Sequence, residues 1–444
     1  MNQSAKYALT LSTLLLLGMA ATSPGAGFAL IEQSAQGMGK AFAGAGTDGA
    51  DASSIYFNPA AMSLQSDAHL DVALHWIAPS AKFNNTGSTL GGVMPTTGGN
   101  GGDGGESALV PNLNYILPLN EKVTAGIGVF VPFGLSTSYE RDWVGRYHGV
   151  DSELSTYNIN PSISYRVSPK VSIGVGVSAQ YAEADLSSAV DFGSIGYSLL
   201  GPATAGKLGL APQSADGFLR VQGDDWGMGY NAGVLVEPRD GTRVGLSYRS
   251  KVDYTLRGDA DFTVPPQAAP LTAQGIFVDT NAKAKITMPE NVTLGLYQKV
   301  SEKWAVLSTV IWTRWSRFDE LRVDYSNFQP DSVTEENWND SFFYSIGADY
   351  LASEKLILHG GVAYDETPVP SAENRTPRIP DNDRLWLSLG ASFKTSDTMT
   401  IDVGYAHLFV DDSESRVAGP TGDVLVGDWE SSVNLFSIQL SMTL

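Results

Sequence analysis

The chain has 444 residues, with 28 Lys and Arg against 48 Asp and Glu, for a formal charge of −20. That balance argues against a nucleic-acid binder, and the lack of any Cys excludes a disulfide scaffold, a thiolate metal site and a Cys nucleophile. Charged residues are only 17%, below the roughly 25% of soluble domains, yet past the N-terminus no apolar run approaches the ~20 residues of a membrane helix.

Residues 1–25 read as a secretory signal peptide: Lys6 gives a positive start, Leu9 to Ala21 an apolar core, and Ser23-Pro24-Gly25 a small-residue cleavage site. Residues 26–65 are rich in Gly and Ala, show no strand alternation, and end in Tyr56-Phe57-Asn58-Pro59-Ala60-Ala61-Met62. They are either a periplasmic tail or a hatch folded inside a lumen, where small residues pack densely.

From residue 66 to 444 the sequence is a succession of strands. Leu70, Val72, Leu74 and Trp76 alternate with His69, Asp71, Ala73 and His75; Val171, Ile173, Val175 and Val177 alternate with Ser172, Gly174, Gly176 and Ser178. One face is apolar and the other small or polar with few charges. A soluble multi-sheet protein would charge its second face, whereas a membrane barrel turns apolar residues to lipid and small polar ones to the lumen. Six connections are tight and polar, around Asn120, Pro169, Asp240, Glu302, Glu354 and Asp397. Seven longer ones, centred near Gly98, Asp142, Gly206, Ala268, Ser332, Ala372 and Gly419, alternate with them. Short turns on one side and long loops on the other is the outer-membrane asymmetry. The reading is all-β: a transmembrane antiparallel barrel of about fourteen strands. Trp76, Tyr115, Tyr157, Tyr165, Trp226, Trp304 and Tyr405 near strand ends fit interfacial girdles.

Catalysis has little support. The five His are scattered without metal-ligand spacing, no G-x-S-x-G elbow occurs, and the glycines from 98 to 105 lack a P-loop Lys. No cofactor and no metal is expected.

The sequence resembles the FadL family of outer-membrane transporters of long-chain fatty acids and aromatic hydrocarbons. The likeness lies in Gly27-Phe28, Gly39-Lys40-Ala41-Phe42-Ala43-Gly44, Asn58-Pro59-Ala60, Val131-Pro132-Phe133-Gly134-Leu135, Trp312-Thr313-Arg314-Trp315-Ser316 and Arg378-Ile379-Pro380-Asp381. It implies a fourteen-stranded barrel in the outer membrane of a Gram-negative bacterium, in contact with its lipid and working as a monomer. It also implies a hatch carrying Phe28, Asn58, Pro59 and Ala60, and uptake of a long-chain fatty acid or another hydrophobic molecule by surface capture, pocket binding and sideways release. Neutral monoaromatics or alkanes are the alternative cargo; an outer-membrane enzyme or general porin is the alternative from another class.

Each implied step has candidate residues. Apolar residues in the third and fourth long loops, Ile195, Leu199, Leu200, Leu208, Leu210, Phe262, Leu271 and Phe277, would form the capture groove, unless they only pack the two loops together. Alternation puts Arg243, Arg249, Lys251 and Arg257 on the lumen side of one strand, Lys283 and Lys285 on that of the next, and Arg384 inward on a later one. Arg146 lies between the third and fourth strands. Of these, Arg146, Arg249, Lys251 and Arg384 are the candidates for holding a carboxylate, against pairing with Asp253, Asp365, Asp402 or the hatch. A break in the third strand at Gly126, Gly128 and Pro132 would be the lateral gate, unless the glycines only make lumen space.

Overall fold

The computed structural model describes residues 26–444; the expected signal segment, 1–25, lies outside the described residues. Fourteen antiparallel strands form one sheet. They are β1 (His69–Asn85), β2 (Ala108–Pro118), β3 (Val123–Phe130 and Gly134–Ser138), β4 (Asp151–Ser168), β5 (Val171–Asp191), β6 (Asp216–Arg239) and β7 (Thr242–Arg249 and Val252–Thr263). Then follow β8 (Thr280–Met288 and Asn291–Lys299), β9 (Trp304–Thr313 and Glu320–Tyr325), β10 (Ser332–Glu335 and Ser341–Ser353), β11 (Leu356–Asp365), β12 (Arg384–Lys394), β13 (Met399–Val410 and Ser413–Ala418) and β14 (Asp423–Thr443). The sheet closes where β1 pairs β14, from His69 opposite Thr443 to Asn85 opposite Gly427.

The alternation has the expected sense. On β1, Val72, Leu74 and Trp76 are exposed on the outside while Asp71, Ala73 and His75 are buried; on β5, Ile173, Val175 and Val177 face out over buried Ser172 and Ser178. Such an apolar outer belt is at home only against hydrocarbon. Trp76, Tyr165, Trp226 and Trp304 project outward near its rims. No helix among the described residues is long and apolar enough to cross a membrane.

The short turns fall where the sequence puts them, at 119–122, 169–170, 240–241, 300–303, 354–355 and 395–398. On the opposite rim, two of the seven expected long connections are short. β13 and β14 continue as a hairpin, Ser413 opposite Trp429 to Ala418 opposite Val424, so the connection near Gly419 is the tight turn 419–422. Likewise Ser332–Glu335 extends β10 against β9, leaving 326–331.

Residues 26–65 lie within the closed sheet. They contain α1 (Ala35–Met38), α2 (Ser54–Phe57) and a 3-10 helix (Pro59–Leu64). Pro59 opens the 3-10 helix with its φ already set. The Asn58 side chain caps it, accepting from the Ala60 N–H at 3.0 Å, and donates outward to the Val234 carbonyl at 3.1 Å. Small residues allow the segment to touch the wall: a Cβ on Gly39 would sit 2.8 Å from the Cα of Gly390. Side chains of Asn112, Asn231, Thr309, Ser345 and Gln439, drawn from strands around the circumference, hydrogen-bond to its backbone.

Candidate functional site

An apolar cavity of about 780 Å³, part of it open to solvent, lies above the N-terminal segment on the loop side. Its walls include Leu135, Leu154, Leu256, Ile286, Phe318 and Ile379, with Phe28 at its base. Phe28 is buried in an aromatic cage, its ring centroid 4.7 Å from that of Trp315, 5.6 Å from Phe318 and 6.1 Å from Phe133.

The cavity is apolar because two strands change register. Arg249 stands opposite Asn231 of β6, but Arg257 stands opposite Asp224, so β7 spends eight residues where β6 spends seven. The extra residue falls at the interruption after Arg249. There Ser250 donates its N–H to the Tyr230 carbonyl at 2.8 Å and accepts the Tyr230 N–H on Oγ at 2.9 Å. A one-residue slip turns every later side chain to the other face. Val252, Tyr254 and Leu256 therefore point inward and are buried, and β8 does the same with Ala282 and Ile286. This corrects the expectation for Lys251, Arg257, Lys283 and Lys285, which stand on the outside of the wall rather than in the lumen. Lys251 pairs there with Asp253 at 2.7 Å.

The remaining expected cations divide. Arg249 precedes the slip and does face inward, where it is bonded to the N-terminal segment: it donates to the Tyr56 carbonyl at 2.8 Å and lies over the Tyr56 and Phe130 rings. No carboxylate forms an ion pair with it among the described residues. Arg384 is inward and buried, and is paired with Asp381. Asp381 and Asp365 in turn accept the N–H groups of Gly27 and Ala26 at 2.9 and 3.0 Å, so this cluster positions the start of the described chain. Arg146 belongs to the outer loops and not to the cavity. Its Nε pairs with Asp216 at 2.7 Å and its Nη1 donates to the Trp143 carbonyl at 3.1 Å.

Besides Glu153 of β4 and Lys283 of β8, which also touch it, the cavity holds two charged groups that strand alternation could not reveal. Arg378, in the connection 366–383, donates to the Asp151 and Ser187 carbonyls at 3.2 Å each and to Ser152 Oγ at 2.8 Å. It makes no ion pair among the described residues. Glu336, in the gap between the two parts of β10, accepts the Trp338 indole N–H at 3.1 Å. Burial pushes the Glu336 carboxyl up to about 8 and the Arg378 guanidinium down to about 10. The only sequence signal was Arg378 within Arg378-Ile379-Pro380-Asp381.

The loop residues form one cluster. The third loop folds as α3 (Phe192–Leu200) and α4 (Pro202–Leu208), the fourth as a 3-10 helix (Pro266–Gln274). Leu210 and Leu271 are buried between them, and Ile195, Leu200, Leu208 and Phe277 are packed against that core. Phe277 stacks edge-on against Phe192 at 5.0 Å and Phe262 at 6.0 Å. Most of this apolar set thus holds the loops to each other; Leu199 is 62% exposed.

The wall is broken between β2 and β3. Their ladder stops at Leu113 opposite Val129. Beyond it, residues 108–112 of β2 pair only with β1, while Gly134–Ser138 of β3 pairs with β4 and, at Thr137 alone, with Gly105 of the first long connection. Pro111 and Pro132 flank the gap, and neither has an amide hydrogen. The N-terminal segment supplies the missing bonds: Leu30 donates to the Pro132 carbonyl at 2.9 Å, and Gly134 donates to the Phe28 carbonyl at 3.0 Å. Pro132 is thus at the bend. Gly126 and Gly128 lie below it in regular ladder and leave little room: a Cβ on Gly126 would be 2.7 Å from Met62 Sδ, and one on Gly128 2.8 Å from Asn114 Oδ1.

Comparison with known proteins agrees with this architecture. The long-chain fatty acid transport protein of Escherichia coli is 29% identical over 394 residues, covering 86% of both chains. A crystal structure of a Pseudomonas aeruginosa FadL homologue superposes with a TM-score of 0.86 at 24% identity, covering 94% of this chain and all of that one. The toluene transporter TodX of P. putida gives a TM-score of 0.68 at 18% identity, covering 88% of this chain and 94% of the other. A sequence model of the outer membrane protein transport protein family (OMPP1/FadL/TodX) matches residues 16–444, and the chain belongs to that family of outer-membrane transporters of hydrophobic substrates.

Proposed function

We propose that the protein carries long-chain fatty acids across the outer membrane, with the cavity above Phe28 as the binding pocket. The observation that supports this reading is an apolar chamber with one guanidinium, Arg378, free of any ion pair among the described residues. The chamber suits an acyl tail, and a guanidinium suits a carboxylate. Residues 26–65 act as the hatch. Substrate collects on the outer loops near Leu199, enters the cavity, and displaces Phe28 from its cage. Because Phe28 and Leu30 also bond the bend around Pro132, moving them frees the gap between β2 and β3. Leaving through that gap keeps the tail out of water, which would otherwise cost about 0.8 kcal/mol per CH₂.

A second reading is transport of neutral monoaromatics or alkanes by the same route. The saturation of Arg378 by two carbonyls and a hydroxyl favours it. Direct binding of oleate and of toluene to the purified protein separates the two: tighter binding of oleate, lost in Arg378→Ala, supports the first, and equal oleate binding by wild type and variant refutes it.

A further inference from the structure

The slips in β7 and β8 gather cations on the outer surface of the wall, above the apolar belt. Tyr248, Val292, Trp312 and Phe342 stand level across β7 to β10 and are its last outward apolar positions there apart from Val333 near the loop rim. Directly above them Arg314 and Arg317 share the single carboxylate of Glu290, at 3.3 and 2.7 Å. Higher still come Lys251, Lys285, Lys283 and Arg257.

The upper members of this column are set against each other. Arg257 stands directly opposite Lys283 in the β7–β8 ladder, and Lys285 is opposite Thr255, one outward position below. Like charges facing across a ladder are destabilising. Neither Arg257 nor Lys285 makes an ion pair among the described residues, and Lys283 reaches only Asp324, at 3.4 Å with both groups well exposed. Asp224 faces Arg257 across the ladder from β6 without an ion pair between them, and Asp259 bounds the patch above. In a chain of −20, two cations without an ion pair among the described residues, beside a third held only by Asp324, suit an anion from elsewhere.

Position limits what that anion is. At about 3.3 Å per residue and a tilt near 40°, Lys251 lies roughly 8 Å and Arg257 roughly 20 Å above the level of Tyr248. A membrane's headgroup layer is only about 5–8 Å deep. The column thus starts within that layer and rises beyond it, a height matched by phosphates carried on a sugar headgroup. We propose that Arg257, Lys283 and Lys285, with Arg314 and Arg317 at their foot, bind the phosphate groups of a phosphorylated glycolipid in the outer leaflet. This is independent of what the cavity carries.

The test titrates the folded, detergent-solubilised protein with a bis-phosphorylated glucosamine glycolipid and with its dephosphorylated form, counting bound lipid by native mass spectrometry at low salt. The expected result is at least tenfold tighter binding of the phosphorylated form, abolished in Arg257→Ala/Lys283→Ala/Lys285→Ala and kept in Lys283→Arg/Lys285→Arg. Lys394→Ala, at the opposite rim, should leave it unchanged. Heat-modifiable gel migration checks that each barrel is closed. Should the triple variant not fold, Lys285→Gln alone should weaken binding about threefold. Equal affinity for the two lipids, a preference that survives these substitutions, or displacement of the lipid by inorganic phosphate at equal concentration would overturn the proposal.

Discussion

The guanidinium of Arg249 lies 4.6 Å from the ring centroid of Tyr56 and donates to that residue's carbonyl at 2.8 Å, joining β7 to the N-terminal segment. A second fastening of the same kind is Arg243, which donates to the Thr47 carbonyl at 2.8 Å. These two inward cations of β7 therefore meet backbone oxygens of residues 26–65 before they meet any ligand.

Arg249→Ala should loosen the hatch without opening the barrel. A hydrogen bond from a charged group contributes about 1.5–3 kcal/mol, and a desolvated cation–π contact up to about 2. The expected outcome is a larger single-channel conductance in planar bilayers with unchanged heat-modifiable migration. Arg249→Lys should fall between, because an ammonium keeps the charge but not the planar fork. Wild-type conductance in the Ala variant would mean that the segment is held adequately elsewhere.

Arg378 and Glu336 should make fatty acid binding depend on pH. With its carboxyl pushed up to about 8 by burial, Glu336 is neutral at pH 7. The folded state then keeps a proton that the unfolded chain releases above its ordinary 4.5, so the group's contribution to stability is full below 4.5 and is lost as pH rises through about 8. Ionisation also places a negative charge on the cavity wall, where it repels a carboxylate. Oleate affinity should fall several-fold between pH 7 and 9 and toluene affinity should not. Glu336→Gln should remove the dependence; if the Gln variant titrates like wild type, another group is responsible.

The loops call for separate tests of packing and capture. Leu210 is fully buried in the loop cluster, so Leu210→Ala should cost about 2–5 kcal/mol of local stability, seen as faster proteolysis of the loops. Leu199 is mostly exposed, so Leu199→Asp should leave proteolysis unchanged while lowering oleate uptake two- to fivefold. If uptake by Leu199→Asp equals wild type, capture lies elsewhere on the surface.

Much of the fold was legible because alternation and turn chemistry are local. Val171 to Ser178 can alternate in only one way, and the polar turns around Pro169 and Asp240 mark their own places. What failed was whatever depends on register over distance. Nothing in Tyr248-Arg249-Ser250-Lys251 shows that Ser250 will bond both backbone groups of Tyr230 and add a residue to its strand. From that point, inside and outside exchange. Arg378 and Glu336 were out of reach for another reason: both sit in irregular segments, where no period assigns a face.

The gap in the wall is open to a direct test, and the structure shows which residues to change. Substituting Gly126 or Gly128 confuses two effects, since any side chain there strikes Met62 or Asn114. The prolines at the gap are cleaner. Pro111 and Pro132 lie on facing strands immediately beyond the last ladder pair, Leu113 with Val129. Pro111→Val with Pro132→Val restores two amide donors and allows β2 and β3 to pair further. A typical ladder hydrogen bond adds about 1 kcal/mol, so closing the gap should stabilise the barrel slightly. The bend would then no longer need the bonds from Phe28 and Leu30. The expected outcome is a protein that reaches the cell surface in normal amount, binds oleate when purified, and fails to import it. Labelled oleate uptake is compared in cells matched for surface expression. Import at the wild-type rate, in a variant whose added β2–β3 bonds are confirmed by slowed amide exchange at residues 108–112, would exclude this gap as the exit and leave a path past the hatch.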